Sequence, residues 1–214
     1  MPTRRNYNQN CPIARGLDIL GERWTLLILR ELVGGARRYG DLRAALPGIA
    51  TNLLAERLKE LQDDGLVDRT DLPAPIGRTV YTLSDTAWQR VLPILQSIAW
   101  FGLDKLEPVD DGPISPLNGF LAGVLLAFDP VKAAGLDATY RVEIDGRRFE
   151  FAVCQSRLAA ARGEPRVTVT ASAADLFTAR LGPTEAKRKG ALRRVNFDGD
   201  QRDVDALRKV FSLN

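Results

Sequence analysis

Among the side chains that do chemistry, histidine is missing from all 214 residues and cysteine occurs twice, as Cys11 and Cys154. That excludes Ser-His-Asp and Cys-His catalysis, histidine general bases and the common zinc ligand sets, and two thiols are too few for a disulfide framework. No metal or cofactor is expected, and GxSxG, P-loop and GxGxxG patterns are absent. Polar groups recur at useful spacing in PGIATNLLAERLKELQDDGL, residues 47–66. On a 3.6-residue repeat Leu53, Leu54, Leu58 and Leu61 share one side, with Asn52, Glu56, Lys59 and Asp63 opposite and Thr51 and Ala55 at the edge. The apolar side belongs to a core. The polar side is either a solvated face or a surface that reads a partner, and the arginines before and after it bear on that choice.

The remaining composition bounds the class. A chain of this length suits two domains of about 100 residues each. With 45% hydrophobic and 27% charged residues, and no apolar run long enough to span a bilayer, it reads as soluble and globular. MPTRRNYNQN has basic residues but no apolar stretch behind them, so no secretory signal is expected and the cytoplasm is the expected location. The net charge of +3 permits an anionic partner without demanding one.

The elements follow from local signals. Pro12 opens a helix closed by Gly21, residues 22–35 give an apolar helix ended by Gly34 and Gly35, and residues 37–48 a two-turn helix with Tyr39, Leu42 and Leu46 inward. The 47–66 helix follows, with Thr51 the expected N-cap, Gly65 in the left-handed position and Leu66 folding back on Leu61. LVDRTDL and RTVYTLS around PAPIG predict a hairpin. A helix then runs from Ser84 to about Leu106, bent at Pro93, and its wide stripe including Trp88, Leu92, Leu95 and Ile98 calls for cover by a partner subunit. The boundary is placed in EPVDDGPISP, with domains at 1–107 and 117–214 and a linker at 108–116.

This element order is that of a winged helix-turn-helix, and residues 8–106 resemble the HxlR-type bacterial transcription regulators. The match is carried by Cys11-Pro12, Arg23-Trp24, Arg38-Tyr39 with Asp41-Leu42-Arg43, and Pro47-Gly48-Ile49 leading to Asp64-Gly65-Leu66-Val67. The resemblance implies a homodimer on double-stranded DNA, with the fourth helix in successive major grooves of an inverted repeat and the wings on flanking backbone. Thr51, Asn52, Ala55 and Glu56 would then face base edges. Asn pairs with adenine, Glu accepts from cytosine N4, and an alanine methyl can touch a thymine methyl. Arg37, Arg38, Arg43, Lys59, Arg69 and Arg78 would take phosphates. Ile13 and Leu17, with Trp88, Leu92, Leu95 and Ile98, would form the dimer contact. In some relatives the Cys-Pro cysteine senses electrophiles, so Cys11 is either a thiol sensor or an inert thiol beside that contact; Cys154 reads as plain core. Ala50 and Asn52 depart from many relatives, which leaves the base preference open.

After the linker, NGFLAGVLLAF and DPVKAAGL predict helices, TYRVEI and RRFEFAV a hairpin with an Asp145-Gly146 tip, and RVTVTA a strand. Ser172 and Asp175 form a capping box for ADLFTARL, a short basic helix follows, and ALRRVNF predicts a last strand before DVDALRKVF. The class is mixed α+β. YRVEIDGRRFEFAV, RVTVTASAADLFTARLG and KGALRRVNFDGDQRDVDALRKVF resemble a sterol-carrier-protein-type domain, a sheet covered by helices around an apolar tunnel. That resemblance implies a hydrophobic or lipid-like effector lined by Leu125, Phe149, Phe151, Leu176, Phe177, Leu192 and Phe211, each of which could equally be plain core. The leading expectation is a dimeric, ligand-responsive repressor or activator that is neither an enzyme nor membrane-bound. The alternatives are a Cys11 thiol sensor with a structural second domain, and a lipid carrier or carboxylate enzyme on a winged-helix scaffold.

Overall fold

The computed structural model describes residues 6–75, 77–106 and 113–213 of the chain, which divides into two compact units, 1–87 and 88–214. Most of the expected linker, residues 108–112, lies outside the described residues.

The first unit holds α1 (Pro12–Leu20), α2 (Thr25–Val33), α3 (Tyr39–Ala45) and α4 (Thr51–Asp63), then β1 (Val67–Leu72) and β2 (Arg78–Leu83). Ile28, Leu29, Leu32, Leu42, Leu54, Leu58 and Leu61 form its core, the inward stripes of three consecutive helices. Gly65 takes φ +68 and the Leu66 N–H donates to the Leu61 carbonyl, so α4 ends in the Schellman turn that the sequence predicts. Its start differs. Ala50 is the N-cap, with no side-chain capping bond, and Thr51 is the first helical residue. The Thr51 hydroxyl is therefore not spent on a cap.

The strands β1 and β2 pair antiparallel in register from Val67 opposite Leu83 to Leu72 opposite Arg78, forming the expected wing. Ser84 caps α5 (Asp85–Gly102), its Oγ accepting from the Ala87 N–H, and Pro93 lies inside that helix. The division between the units falls within α5. From Trp88 onward this helix packs with the second unit, where Gln96 Nε2 donates to the Leu125 and Phe128 carbonyls at 2.9 and 3.0 Å. Those side-chain bonds carry no periodic signal, which is why the sequence assigns the whole of α5 to the first domain.

The second unit is mixed α+β. Its five-stranded sheet has the order β5-β4-β3-β6-β7. These strands are β3 (Ala138–Ile144), β4 (Arg147–Cys154), β5 (Arg157–Ala159), β6 (Val167–Ala171) and β7 (Asn196–Gly199), with only β3 and β6 parallel. The helices are α6 (Pro116–Phe120), continued by a π-helical turn at Leu121–Leu125, and α7 (Ala173–Leu181), α8 (Glu185–Leu192) and α9 (Gln201–Val210). The hairpin tip at Asp145-Gly146 and the Ser172–Asp175 cap form as the sequence predicts. Two expectations do not hold, and one strand has no counterpart among them. Residues 130–135 form turns rather than a helix, because Asp129 Oδ1 accepts from the Val131 and Lys132 N–H groups and the chain then reverses at Gly135. The last strand begins at Asn196, since Ala191 and Leu192 complete α8. Strand β5 was not anticipated.

The apolar face of this sheet carries a cluster of rings. Phe120 stacks on Phe149 at 4.6 Å between centroids, and Phe151 meets Phe120, Tyr140 and Phe211 at 5.9, 5.6 and 5.6 Å. Of the phenylalanines expected to line a tunnel, Phe151 and Phe211 meet directly, and Phe149 joins them through Phe120; all three are buried. Leu176 is buried, and Phe177 and Leu192 are partly exposed.

Tyr140 is fully buried and its hydroxyl has no hydrogen-bond partner among the described residues. Burial pushes its pKa up to about 12, with the charge of Asp203 adding to the rise and Arg166 opposing it. A folded pKa above the unfolded value of about 10 gives stability that is complete below pH 10 and is lost as pH rises through 12. We expect Tyr140→Phe to flatten the loss of urea resistance between pH 10 and 12 and to leave the neutral-pH value unchanged or higher, since no hydrogen bond is removed. An unaltered alkaline slope would reject this account.

Candidate nucleic-acid interface

Three consecutive residues knit the first unit's exposed face together. Arg37 exchanges backbone hydrogen bonds with Tyr81 of β2 at 2.9 and 2.7 Å, which ties the wing to the start of α3. Tyr39 donates its hydroxyl to the Thr51 carbonyl at 2.6 Å, which ties the start of α3 to the start of α4. Arg38 lies between them, exposed, its N–H capped by Asp41 Oδ2 at 3.1 Å. The turn between α3 and α4 is set by Gly48, whose φ of +92 suits glycine, and an added Cβ there would lie 3.8 Å from the Trp24 ring. Trp24 itself sits at φ +80 immediately before α2, with the Arg23 guanidinium 5.2 Å from its ring centroid.

On this frame Thr51, Asn52 and Ala55 are exposed and Glu56 partly so, all in the first turns of α4. Lys59 is exposed one turn further on. The six expected phosphate-binding cations separate into three kinds. Arg38, Arg43, Lys59 and Arg78 are exposed and form no ion pair among the described residues. Arg69 is exposed but pairs with Asp71 at 3.3 Å, a contact that water and salt weaken. Arg37 differs from the others: its half-buried guanidinium lies 3.4 Å from Glu31 Oε2. Glu31 is 4% exposed and also receives Arg30 at 2.7 Å. Sequence reasoning missed this acid, together with Arg57, which joins Glu22 at 2.9 Å to Glu60. A buried acid in the middle of an apolar helix was the available signal for Glu31.

The expected dimer residues also divide. Ile13 at 73% exposure, Leu17 and Ile98 present apolar surface, and Ile94, Trp100 and Phe101 on α5 do so as well, Phe101 at 88%. Trp88, Leu92 and Leu95 are already buried within the chain, so they are not available to a partner subunit without rearrangement. Cys11 stands at the N-cap of α1, partly exposed and unpaired, where the backbone N–H groups of Ala14 and Ile13 draw its thiol pKa below the ordinary value. Cys154, expected in the core, is partly exposed and donates to Asp137 Oδ2 at 3.7 Å. Among the described residues no helix is long and apolar enough to cross a membrane, and no group of three His, Cys, Asp or Glu is placed to hold a metal ion.

The comparisons with known proteins concern the N-terminal half of the chain. The HxlR-like helix-turn-helix family matches residues 19–110. The chain is 36% identical to the HTH-type transcriptional regulator YvaP of Bacillus subtilis over 104 residues, which is 48% of this chain and 95% of YvaP. It is 38% identical to the HTH-type transcriptional regulator YodB of the same organism over 96 residues, 44% of this chain and 84% of YodB. The solved reduced form of YodB covers 46% of this chain and all of its own, at 33% identity and a TM-score of 0.39. With relatives matched over nearly their whole length, the chain belongs to the HxlR-like helix-turn-helix family.

Proposed function

We propose that the protein is a dimeric, sequence-specific DNA-binding transcription regulator whose second unit binds an effector. The observation that carries the DNA reading is the set of exposed cations that form no ion pair among the described residues, Arg38, Arg43, Lys59 and Arg78, on the frame that Arg37 and Tyr39 fix around the polar start of α4. A helix of this diameter fits the major groove, and residues in its first turns reach base edges. Asn52 is the best-equipped of these, since its amide can donate and accept toward one adenine. The Thr51 hydroxyl, free of a capping role, can join it. Exposed Ile13, Leu17 and Ile98 supply the apolar surface for a second copy, and an inverted repeat is the matching operator.

The test is a binding-site selection followed by two substitutions. Asn52→Ala is expected to lower discrimination at one base position by about 10- to 100-fold while leaving the salt dependence intact. Arg78→Ala is expected to weaken binding to all sequences alike and reduce the salt slope by about one. Equal loss of selectivity from both would refute the assignment of roles.

The sterol-carrier-type resemblance makes the effector hydrophobic. An apolar cavity lined by Leu92, Leu125, Phe128 and Leu158 has about 190 Å³, below the range of about 300–1,000 Å³ typical of ligand sites. A second reading has one observation in its favour: the acidified, partly exposed Cys11 thiol at the start of α1. Under it, DNA release by diamide is abolished by Cys11→Ser, whereas release that persists in the variant rejects it.

A further inference from the structure

The outer face of the five-stranded sheet carries a cleft that the regulator reading has not used. Residues 160–166 fold back over this face and are pinned to Thr139. The Thr139 hydroxyl donates to the Arg162 carbonyl at 2.6 Å and accepts from the Arg162 N–H at 3.2 Å, and the Arg166 N–H donates to the Thr139 carbonyl at 2.9 Å. Between this segment and the sheet lies an open cleft of about 620 Å³, inside the range of about 300–1,000 Å³ that small-molecule sites occupy.

Strand register determines what the cleft floor is made of. Thr139 pairs with Ala152, and Ala152 with Ala159, so three small side chains form a row across β3, β4 and β5 on one face. Cys154 and Arg157 pair in the neighbouring row. The row is thus low and methyl-bearing, with the Arg162 backbone seated at its Thr139 end. The rim is cationic: Arg157, Arg162 and Arg166 all line the cleft, against two acids, Asp137 and Glu164. Asp137 already accepts from the Cys154 thiol, and Arg166 keeps more than half of its side chain exposed although Asp203 lies 3.7 Å away.

We propose that this cleft binds a small organic anion, a carboxylate on a flat apolar body, with the body on the Thr139–Ala152–Ala159 row and the carboxylate among the rim arginines. Planar guanidinium groups match a carboxylate in two parallel hydrogen bonds, and a methyl floor favours a ring over a bulky chain. Gln89 of α5 also lines the cleft, so an occupant touches the helix whose exposed residues are offered to a second copy. The proposal deepens the reading of the second unit as the effector-binding part.

Cys154 makes the site testable without DNA. In the full chain carrying Cys11→Ser it is the remaining thiol, and its alkylation by N-ethylmaleimide reports occupancy. 2-Naphthoate is expected to slow this reaction saturably, the neutral 2-naphthamide to leave it unchanged, and Arg157→Gln with Arg166→Gln to raise the half-protecting naphthoate concentration about tenfold or more. Failure of naphthoate to protect, equal protection by the amide, or insensitivity to the two arginine substitutions would overturn the proposal. Release of selected DNA by naphthoate is measured separately and judges the coupling of this cleft to DNA, so that a failure of the regulator reading is distinguishable from a failure of the site.

Discussion

Replacing Glu31 by alanine is expected to lower the stability of the first unit by about 2–3 kcal/mol. The Glu31 carboxylate is almost wholly buried and receives Arg30 through Nε and Nη2 at 3.2 and 2.7 Å, and Arg37 through Nη2 at 3.4 Å. Removing it leaves the Arg37 guanidinium, whose side chain is 19% exposed, with its desolvation cost and no carboxylate. Arg30 is more exposed and can turn to water, which holds the loss below that of breaking a fully buried pair. The backbone of Arg37 also bridges to Tyr81, so the wing should loosen along with the ion pair. Urea unfolding measures the first effect, and weaker binding to selected DNA with unchanged base preference measures the second. Asp63→Ala, at an exposed position of α4, serves as the control and should stay within about 0.5 kcal/mol of the parent. A Glu31→Ala protein as stable as this control would disprove the account.

The contrast between Arg37 and Arg38 shows where sequence reading stops. Both precede the same helix and look alike as cations, yet one is turned into the fold and the other faces outward. What separates them is Glu31, six residues upstream in a different helix, and no local pattern encodes that pairing. The helices and the wing were legible because their signals are local: Pro12 and Gly21 bound α1, Gly34 follows α2, and Gly65 with Leu66 ends α4. Thr51 shows the limit even there, since the chain enters α4 one residue earlier than the best capping side chain. In the second unit, β5 escaped notice because its turn uses Gln155 and Ser156, both at positive φ, where glycine or asparagine would have announced a reversal. Phe149, Phe151 and Phe211 are buried and Phe177 is partly exposed, and a filled core and a tunnel wall demand the same residue types.

Gly119→Leu is expected to lower the stability of the second unit by about 3 kcal/mol or more, because α6 crosses α7 with no room for a side chain. A Cβ on Gly119 would sit 2.7 Å from the Ala173 Cα and 3.1 Å from its carbonyl oxygen, and one on Gly123 would lie 3.1 Å from Leu176. At Gly119 the obstacle is backbone, which cannot swing aside as a side chain does. Nor is the start of α7 free to retreat: the Ala173 N–H donates to Asp145 Oδ2 at 3.0 Å, and Ser172 Oγ accepts from the Asp175 N–H at 3.0 Å. Even Gly119→Ala should therefore be destabilising by about 1–2 kcal/mol, although alanine gains about 1 kcal/mol over glycine in a helix interior. Gly16 in α1 supplies the opposite case, since an added Cβ there meets nothing within 4 Å. Gly16→Ala should gain about 0.5–1 kcal/mol. Hydrogen exchange locates each change, with β3 amides losing protection in the Gly119 variants and α2 amides unaffected. A Gly119→Ala protein more stable than its parent would mean that α6 and α7 can separate freely, and the close crossing would then have no energetic role.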